Sequence, residues 1–94
     1  MSKQDELDLD LGYQAAALLS AAEVKALGAI YEAASVGLPN ATDRQLGISP
    51  GTDALLALRG LVSMRPVARG RAAYRLTHLG VATCVALQRM GRIT

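Results

Sequence analysis

The chain has 94 residues, 51% of them apolar but none of them Phe or Trp. It is long enough for one domain, whose small core must be built from aliphatic side chains and three tyrosines. A net charge of +2 excludes a strongly charged chain as a whole, and a single cysteine, Cys84, excludes an internal disulfide.

The acidic amino-terminal segment lacks the basic-then-apolar order of a secretory signal, which predicts a cytoplasmic protein. Three leucines alternate with aspartates between residues 7 and 11, a period-two pattern that is typical of an edge strand or an extended arm. Because aspartate is a poor strand former, we expect residues 1–12 to be a flexible acidic arm. Helical character then begins at Tyr13, so the single domain is predicted to span 13–94.

The first core helix is predicted to begin at Ala21, because Ser20 and Glu23 form a capping box. Its apolar stripe is predicted to face the core and consists of Val24, Leu27, Ile30, Tyr31 and Ala34. Charged residues interrupt the apolar run of this region, which excludes a membrane-spanning helix. A loop at 37–40 ends the helix.

Two further helices are predicted in close succession. Thr42 and Gln45 form a second capping box, which starts a short helix that ends at Gly47. Ser49 as the N-cap and Pro50 at the first position then start a third helix that runs to about residue 59. We expect one face of this helix to meet the core through Gly51, Leu55 and Leu58, and the other positions, Thr52, Asp53, Leu56 and Ala57, to face outward.

A hairpin and a last helix complete the predicted elements. Gly60 allows the left-handed conformation that ends a helix, and alternating apolar residues follow it in strand fashion. The turn at 68–71 contains a glycine, and on the return strand Tyr74 and Leu76 fall on one face and Arg75 on the other. Thr77 then caps a helix over 77–91.

The order of these features resembles the MarR-like and PadR-like bacterial winged-helix regulators. The string GLV at 60–62, a basic turn and YRLTHLG at 74–80 are similar to the wing of these families, and residues 19–24 are similar to the opening of their first domain helix. The resemblance covers residues 19–91 and implies an α+β, mainly α fold. This fold is a winged helix-turn-helix with a three-helix core, a two- or three-stranded β-wing at about 62–77 and a C-terminal helix. The second helix is shorter here than in relatives, which have about two turns before the glycine.

The resemblance also implies a transcriptional regulator that binds double-stranded DNA, with the third helix, about 50–59, as the recognition helix in the major groove. Charge favours this partner, because residues 43–94 carry eight arginines against two aspartates, a net +6, whereas residues 1–10 carry a net −3. The predicted outward face of the recognition helix nevertheless has few of the side chains that read base edges. The candidate DNA contacts are Arg44, Gln45, Ser49, Thr52, Arg59, Arg65, Arg69, Arg71 and Arg75.

Val81 and Val85 fall among polar residues on the last helix. Because a two-fold operator requires a dimer, we expect both valines to contact a second copy of the chain; the alternative is two isolated exposed valines. His78 is the only histidine and has no metal-ligand spacing around it, and Cys84 is expected to be a buried, unreactive thiol. We therefore expect no enzyme activity and no cofactor. The alternative function is a winged-helix module that binds protein through the Leu56–Ala57 surface and the acidic arm.

Overall fold

The computed structural model describes residues 3–38, 40–68 and 71–93, and within these ranges the fold is α+β and mainly helical. The elements are α1 Lys3–Ala17, α2 Ala21–Ser35, α3 Asp43–Leu46, α4 Pro50–Leu58, β1 Val62–Ala68, β2 Arg71–Leu76 and α5 His78–Arg89. The two strands form an antiparallel sheet. None of the described helices is long and apolar enough to span a bilayer.

The predicted helix starts are confirmed by their hydrogen bonds. The amide of Glu23 donates to the Ser20 hydroxyl at 3.2 Å, and the Glu23 carboxylate accepts from the Ser20 amide in return. Thr42 and Gln45 form the same reciprocal pair at the start of α3. At α5 the hydroxyl of Thr77 accepts from a backbone amide one turn into the helix.

The core lies where α2 meets α4, the hairpin and α5. The predicted stripe of α2 is confirmed, since Val24, Leu27 and Ile30 are buried and the other two members are partly buried. The largest fully buried side chains come from α2, α4, the turn before β1, β2 and α5, and they are Leu27, Leu56, Leu61, Tyr74, Thr83, Cys84 and Leu87.

The hairpin follows α4 directly. Gly60 has φ of 76°, the left-handed conformation expected of it, and the chain then enters β1. Met64 lies opposite Tyr74, and the register is irregular between Pro66 and Ala68. Tyr74 is buried and Arg75 is exposed, which confirms the predicted alternation on β2. The glycine of the predicted turn lies outside the described residues.

The prediction of a flexible arm over residues 1–12 is wrong from residue 3 onward, because α1 begins at Lys3. This helix packs along α5 in the same direction, with Asp8 beside His78 and Gly12 beside Ala82. The approach at Gly12 is so close that a Cβ there would lie 2.5 Å from the carbonyl oxygen of Ala82. Tertiary packing therefore overrides the weak local preference of the aspartate-rich sequence.

The predicted orientation of α4 is also wrong. Asp53 and Leu56, expected to face outward, are buried at 5% and 0% exposure, whereas Leu58, expected in the core, is 83% exposed. The physical reason is a hydrogen bond: the hydroxyl of Tyr74 donates to the Asp53 carboxylate at 2.6 Å, and this pair holds the Asp53 side of α4 against the hairpin.

Candidate nucleic-acid interface

The segment from α3 to α4 brings two short helices together through a tight turn. Gly47 has φ of 66° and ends α3, and the next side chain, Ile48, is buried and anchors the turn in the core. Ser49 is the N-cap residue of α4 and Pro50 its first helical residue, as predicted. Helix α4 therefore has a fixed orientation on the surface.

The outward face of α4 carries no group that donates or accepts a hydrogen bond from its side chain. Gly51, Ala54, Leu55 and Leu58 make up this face, and Leu55 is 44% exposed. We call these four residues the α4 face. The sequence interpretation missed it, because it placed three of the four in the core.

A groove of about 420 Å³ runs between α4 and the hairpin, next to the α4 face. Its lining is mainly apolar, and the charged residues among the described part of the lining are Arg71 and two aspartates. The groove is bordered by Asp43, Pro50, Asp53, Ala54, Met64, Pro66, Ala68, Arg71 and Ala72.

The strand register places the hairpin arginines Arg65, Arg71 and Arg75 on the face opposite Met64, because paired residues share a face and successive residues alternate. Arg71, at the start of β2, also lines the groove. All three arginines are exposed. Arg69, also expected to contact DNA, lies outside the described residues. Of the hairpin arginines that the structure describes, Arg71 is the one that lines the groove beside α4.

The candidate DNA contacts before and within α4 do not line the hairpin groove. Arg44 is exposed on α3, and Oε1 of the Gln45 side chain accepts the capping hydrogen bond from the Thr42 amide. The hydroxyls of Ser49 and Thr52 are 2.9 Å apart and line a depression beside α2, on another side of α4 from the hairpin groove. These residues do not form one surface with Arg71.

Arg59 is engaged inside the molecule. Its Nε donates to Oε2 of Glu23 at 2.6 Å, while Nη2 donates to Oε1 at 3.4 Å. Glu23 is buried, and the hydrogen bond from Arg59 lowers the pKa of its carboxyl below the ordinary value. The guanidinium therefore ties the end of α4 to the start of α2.

The carboxylates of the carboxyl half are also occupied internally. Asp53 is buried against Tyr74, and burial together with this hydrogen bond raises the pKa of the Tyr74 hydroxyl well above its ordinary value. Asp43 is half-buried and accepts from the backbone amide of Ala72 at 3.3 Å. As a result, the fully exposed charged side chains of the described part of this half are arginines, and Asp43 is partly exposed.

The α5 surface carries the candidate dimer residues. Val81 is 43% exposed and Val85 is partly buried, and both line a groove of about 220 Å³ between α5 and α1. His78 also lines this groove, is exposed and is hydrogen-bonded to Asp8. Cys84 on the same helix is fully buried, and burial raises the pKa of its thiol to about 12.

Comparisons with protein-family models, with curated proteins and with solved structures found no match to this chain.

Proposed function

We propose that the protein is a small DNA-binding transcriptional regulator of the winged-helix class. In this proposal α4 enters the major groove, the hairpin is the wing, and arginines neutralise phosphates on either side. The order of α2, α3, α4, hairpin and α5 is compatible with that class. The motif resemblance at residues 19–24 and 60–80 supports the same assignment.

One observation carries the proposal: folding places the carboxylates of the carboxyl half in internal hydrogen bonds and leaves arginines exposed. Asp53 would repel phosphates if it faced outward from α4, but its carboxylate is buried against Tyr74. Arg71 beside the α4 groove and Arg44 on α3 are exposed instead, and in the described part of the chain neither guanidinium donates to a carboxylate. A surface of this kind attracts a polyanion.

The proposal also includes a dimer, with Val81 and Val85 of α5 at the contact between two copies. The exposed part of this apolar pair would be removed from water in such a contact. Two copies related by a two-fold axis would present two α4 helices to adjacent turns of the major groove.

The test is binding to random-sequence duplex DNA, measured by fluorescence anisotropy across a salt series. We expect the logarithm of affinity to fall linearly with the logarithm of salt concentration, by about 0.9 per phosphate contacted. In Arg44→Gln with Arg71→Gln, the slope should become shallower by about 2, since each lost phosphate contact removes about one unit. Arg89→Gln changes an exposed arginine of α5 that lines the α1–α5 groove; with light scattering to show that the mass in solution is unchanged, it is the matched control and should keep the wild-type slope.

A second candidate function is a module that docks onto another protein, and the exposed Leu55 and Leu58 favour it. Absence of duplex binding at low salt would reject the DNA-binding proposal in favour of this one. Apolar docking differs from phosphate binding in being nearly insensitive to salt.

A further inference from the structure

We infer that α4 reads DNA through apolar contact with the 5-methyl groups of thymine, and not through hydrogen bonds to base edges. This inference rests on the proposed function and names the chemical feature that the α4 face would recognise. It starts from an unusual property of that face, which presents two leucines and an alanine where a reader of base edges would present amides or guanidinium groups.

Each polar side chain of α4 and its C-cap has a place away from the α4 face. Asp53 is buried against Tyr74, Thr52 pairs with Ser49 beside α2, and Arg59 binds Glu23. None of these groups is directed to where bases would lie if the α4 face entered the groove. The outward surface of the helix therefore offers van der Waals contact alone.

The apolar character continues from the α4 face toward the hairpin. Pro50, Met64 and Pro66 line the adjoining groove, and Met64 is 37% exposed. Arg71 borders the same groove and provides a positive charge, whereas the carboxylates of Asp43 and Asp53, which also line it, are held in internal hydrogen bonds. An apolar centre with a cation at its rim complements a ligand that carries methyl groups between two rows of phosphates, which is the major groove at A·T pairs.

The chemistry of the major groove then restricts the base. Thymine is the only base that presents a methyl group there, whereas guanine and cytosine present only acceptors or a donor. Leucines pressed against those polar edges would desolvate them without replacing their hydrogen bonds to water, which is unfavourable. Leu55 and Leu58 against thymine methyls instead bury apolar surface on both sides. The α4 face should consequently favour thymine-containing duplexes over G·C duplexes.

The test compares duplexes that differ only in the methyl group. Probes are a self-complementary alternating A-T oligonucleotide, the same duplex with uracil for thymine, and an alternating G-C duplex with or without 5-methylcytosine. The wild-type chain should bind the thymine duplex at least about fourfold more tightly than the uracil duplex, which is the factor for burial of one methyl-sized group. The G-C duplex that contains 5-methylcytosine should likewise bind more tightly than the unmethylated G-C duplex.

The leucines are tested by Leu55→Ala with Leu58→Ala. Both side chains are exposed and alanine favours helix, so the fold should persist, which circular dichroism checks. The thymine-to-uracil ratio should fall to about one, while salt-dependent binding remains. Leu18→Ala, which removes a leucine that is 68% exposed after α1, is the matched control and should keep the wild-type ratio.

Different results would overturn the methyl inference and the proposed function. Salt-dependent binding with equal affinity for thymine and uracil duplexes would overturn the methyl inference and leave the proposed function standing. A ratio that survives in the double-leucine variant would overturn it as well, since another part of the chain would then sense the methyl group. Absence of binding to every duplex at low salt would overturn both and favour a protein partner for the α4 face.

Discussion

The α4–hairpin region and the α1–α5 region are held together by different physical means. In the first, buried carboxylates bind groups from distant elements: Asp53 accepts from Tyr74, and Glu23 accepts from Arg59. In the second, two helices approach through Gly12, so closely that backbone meets backbone. Directional hydrogen bonds orient α4 on the surface, whereas close packing fixes the spacing of α1 and α5.

This difference affects what each region leaves exposed. Polar groups of the first region are turned inward, so α4 shows apolar side chains while arginines stay at the edges. The second region leaves a groove lined by both polar and apolar residues, with Val81 at its border. The first region suits an extended polyanion with apolar features, and the second suits a self-complementary contact.

The substitution with the largest expected effect disrupts the packing of α1 on α5. Gly12→Ala places a methyl group 2.5 Å from the Ala82 carbonyl oxygen, so α1 must move away from α5. We expect the free energy of unfolding to fall by about 3 kcal/mol, the upper part of the range for overpacking. Urea denaturation measures this change.

Gly51→Ala is the matched control for that substitution. A Cβ at this position on α4 has no atom within 4 Å, and the residue does not have a positive φ. Stability should rise by about 0.5 kcal/mol, because alanine restricts the unfolded chain. Equal losses in both variants would contradict the account of α1 and α5.

The next largest effect is expected from a substitution that removes a hydrogen bond between α4 and the hairpin. Tyr74→Phe removes the hydroxyl that donates to Asp53 and leaves this buried carboxylate without that hydrogen bond. The free energy of unfolding should fall by about 2 kcal/mol at neutral pH. Tyr13→Phe on α1, at a residue that is 36% exposed, is the control and should change stability by less than about 0.5 kcal/mol.

The same pair should make stability depend on alkaline pH. The folded pKa of Tyr74 lies above its ordinary value of 10.0, so the folded state holds the proton more tightly than the unfolded state. The contribution is complete below pH 10 and is lost as pH rises further. Wild type should therefore lose more stability than Tyr74→Phe above this pH, and parallel curves would contradict the assignment.

A smaller effect concerns Arg59. Arg59→Met keeps the aliphatic stem but leaves the buried Glu23 with only its capping contacts to Ser20, and we expect a loss of about 1 kcal/mol because the Arg59 side chain is one-third exposed. The lowered pKa of Glu23 means that the pair stabilises the fold above the ordinary pKa of 4.5 and that this contribution is lost as pH falls.

The difference between wild type and Arg59→Met should accordingly shrink in acid. Chemical denaturation at pH 7 and at pH 3 measures it, and Arg75→Met, at an exposed arginine of β2, serves as the control without effect at either pH. A difference that stays constant between the two pH values would contradict the role of Glu23.

Elements with local signals were predictable from the sequence. The capping boxes at Ser20 and Thr42 and the left-handed Gly60 depend on residues close in sequence, and all three are confirmed. The predicted flexible arm failed because α1 is stabilised by α5, some seventy residues away in the chain. Its signal was present in Gly12, a small residue that permits close helix packing.

The orientation of α4 could not be read from its periodicity, because both of its faces contain leucines. Leu56 lies on the Asp53 side of α4, which the Tyr74 hydroxyl of β2 holds inward and where Leu56 packs in the core, whereas Leu58 lies on the other side. A sequence pattern without tertiary contacts treats Asp53 as a solvated charge. The sequence therefore predicted polar DNA contacts on α4, whereas the structure has an apolar face there with Arg71 at its edge.

The smallest expected effect on the fold tests the α1–α5 surface as a dimer contact. Val81 is 43% exposed, so Val81→Asp should change the stability of one copy by less than about 0.5 kcal/mol. In a dimer that buries this residue, the aspartate would lose its hydration without gaining a partner. The mass in solution, measured by light scattering, should then fall from that of two copies to that of one.

Val36→Asp at the C-cap of α2, where the valine is 72% exposed, adds the same charge outside the proposed contact and should leave the dimer intact. A wild-type chain with the mass of one copy, or a Val81→Asp variant that remains dimeric, would contradict the contact. Because the α4–hairpin region is unchanged in Val81→Asp, its residual affinity for duplex DNA would measure how much of binding comes from pairing two α4 helices. We expect that loss to exceed the effect on folding, since two linked sites gain affinity through their effective concentration.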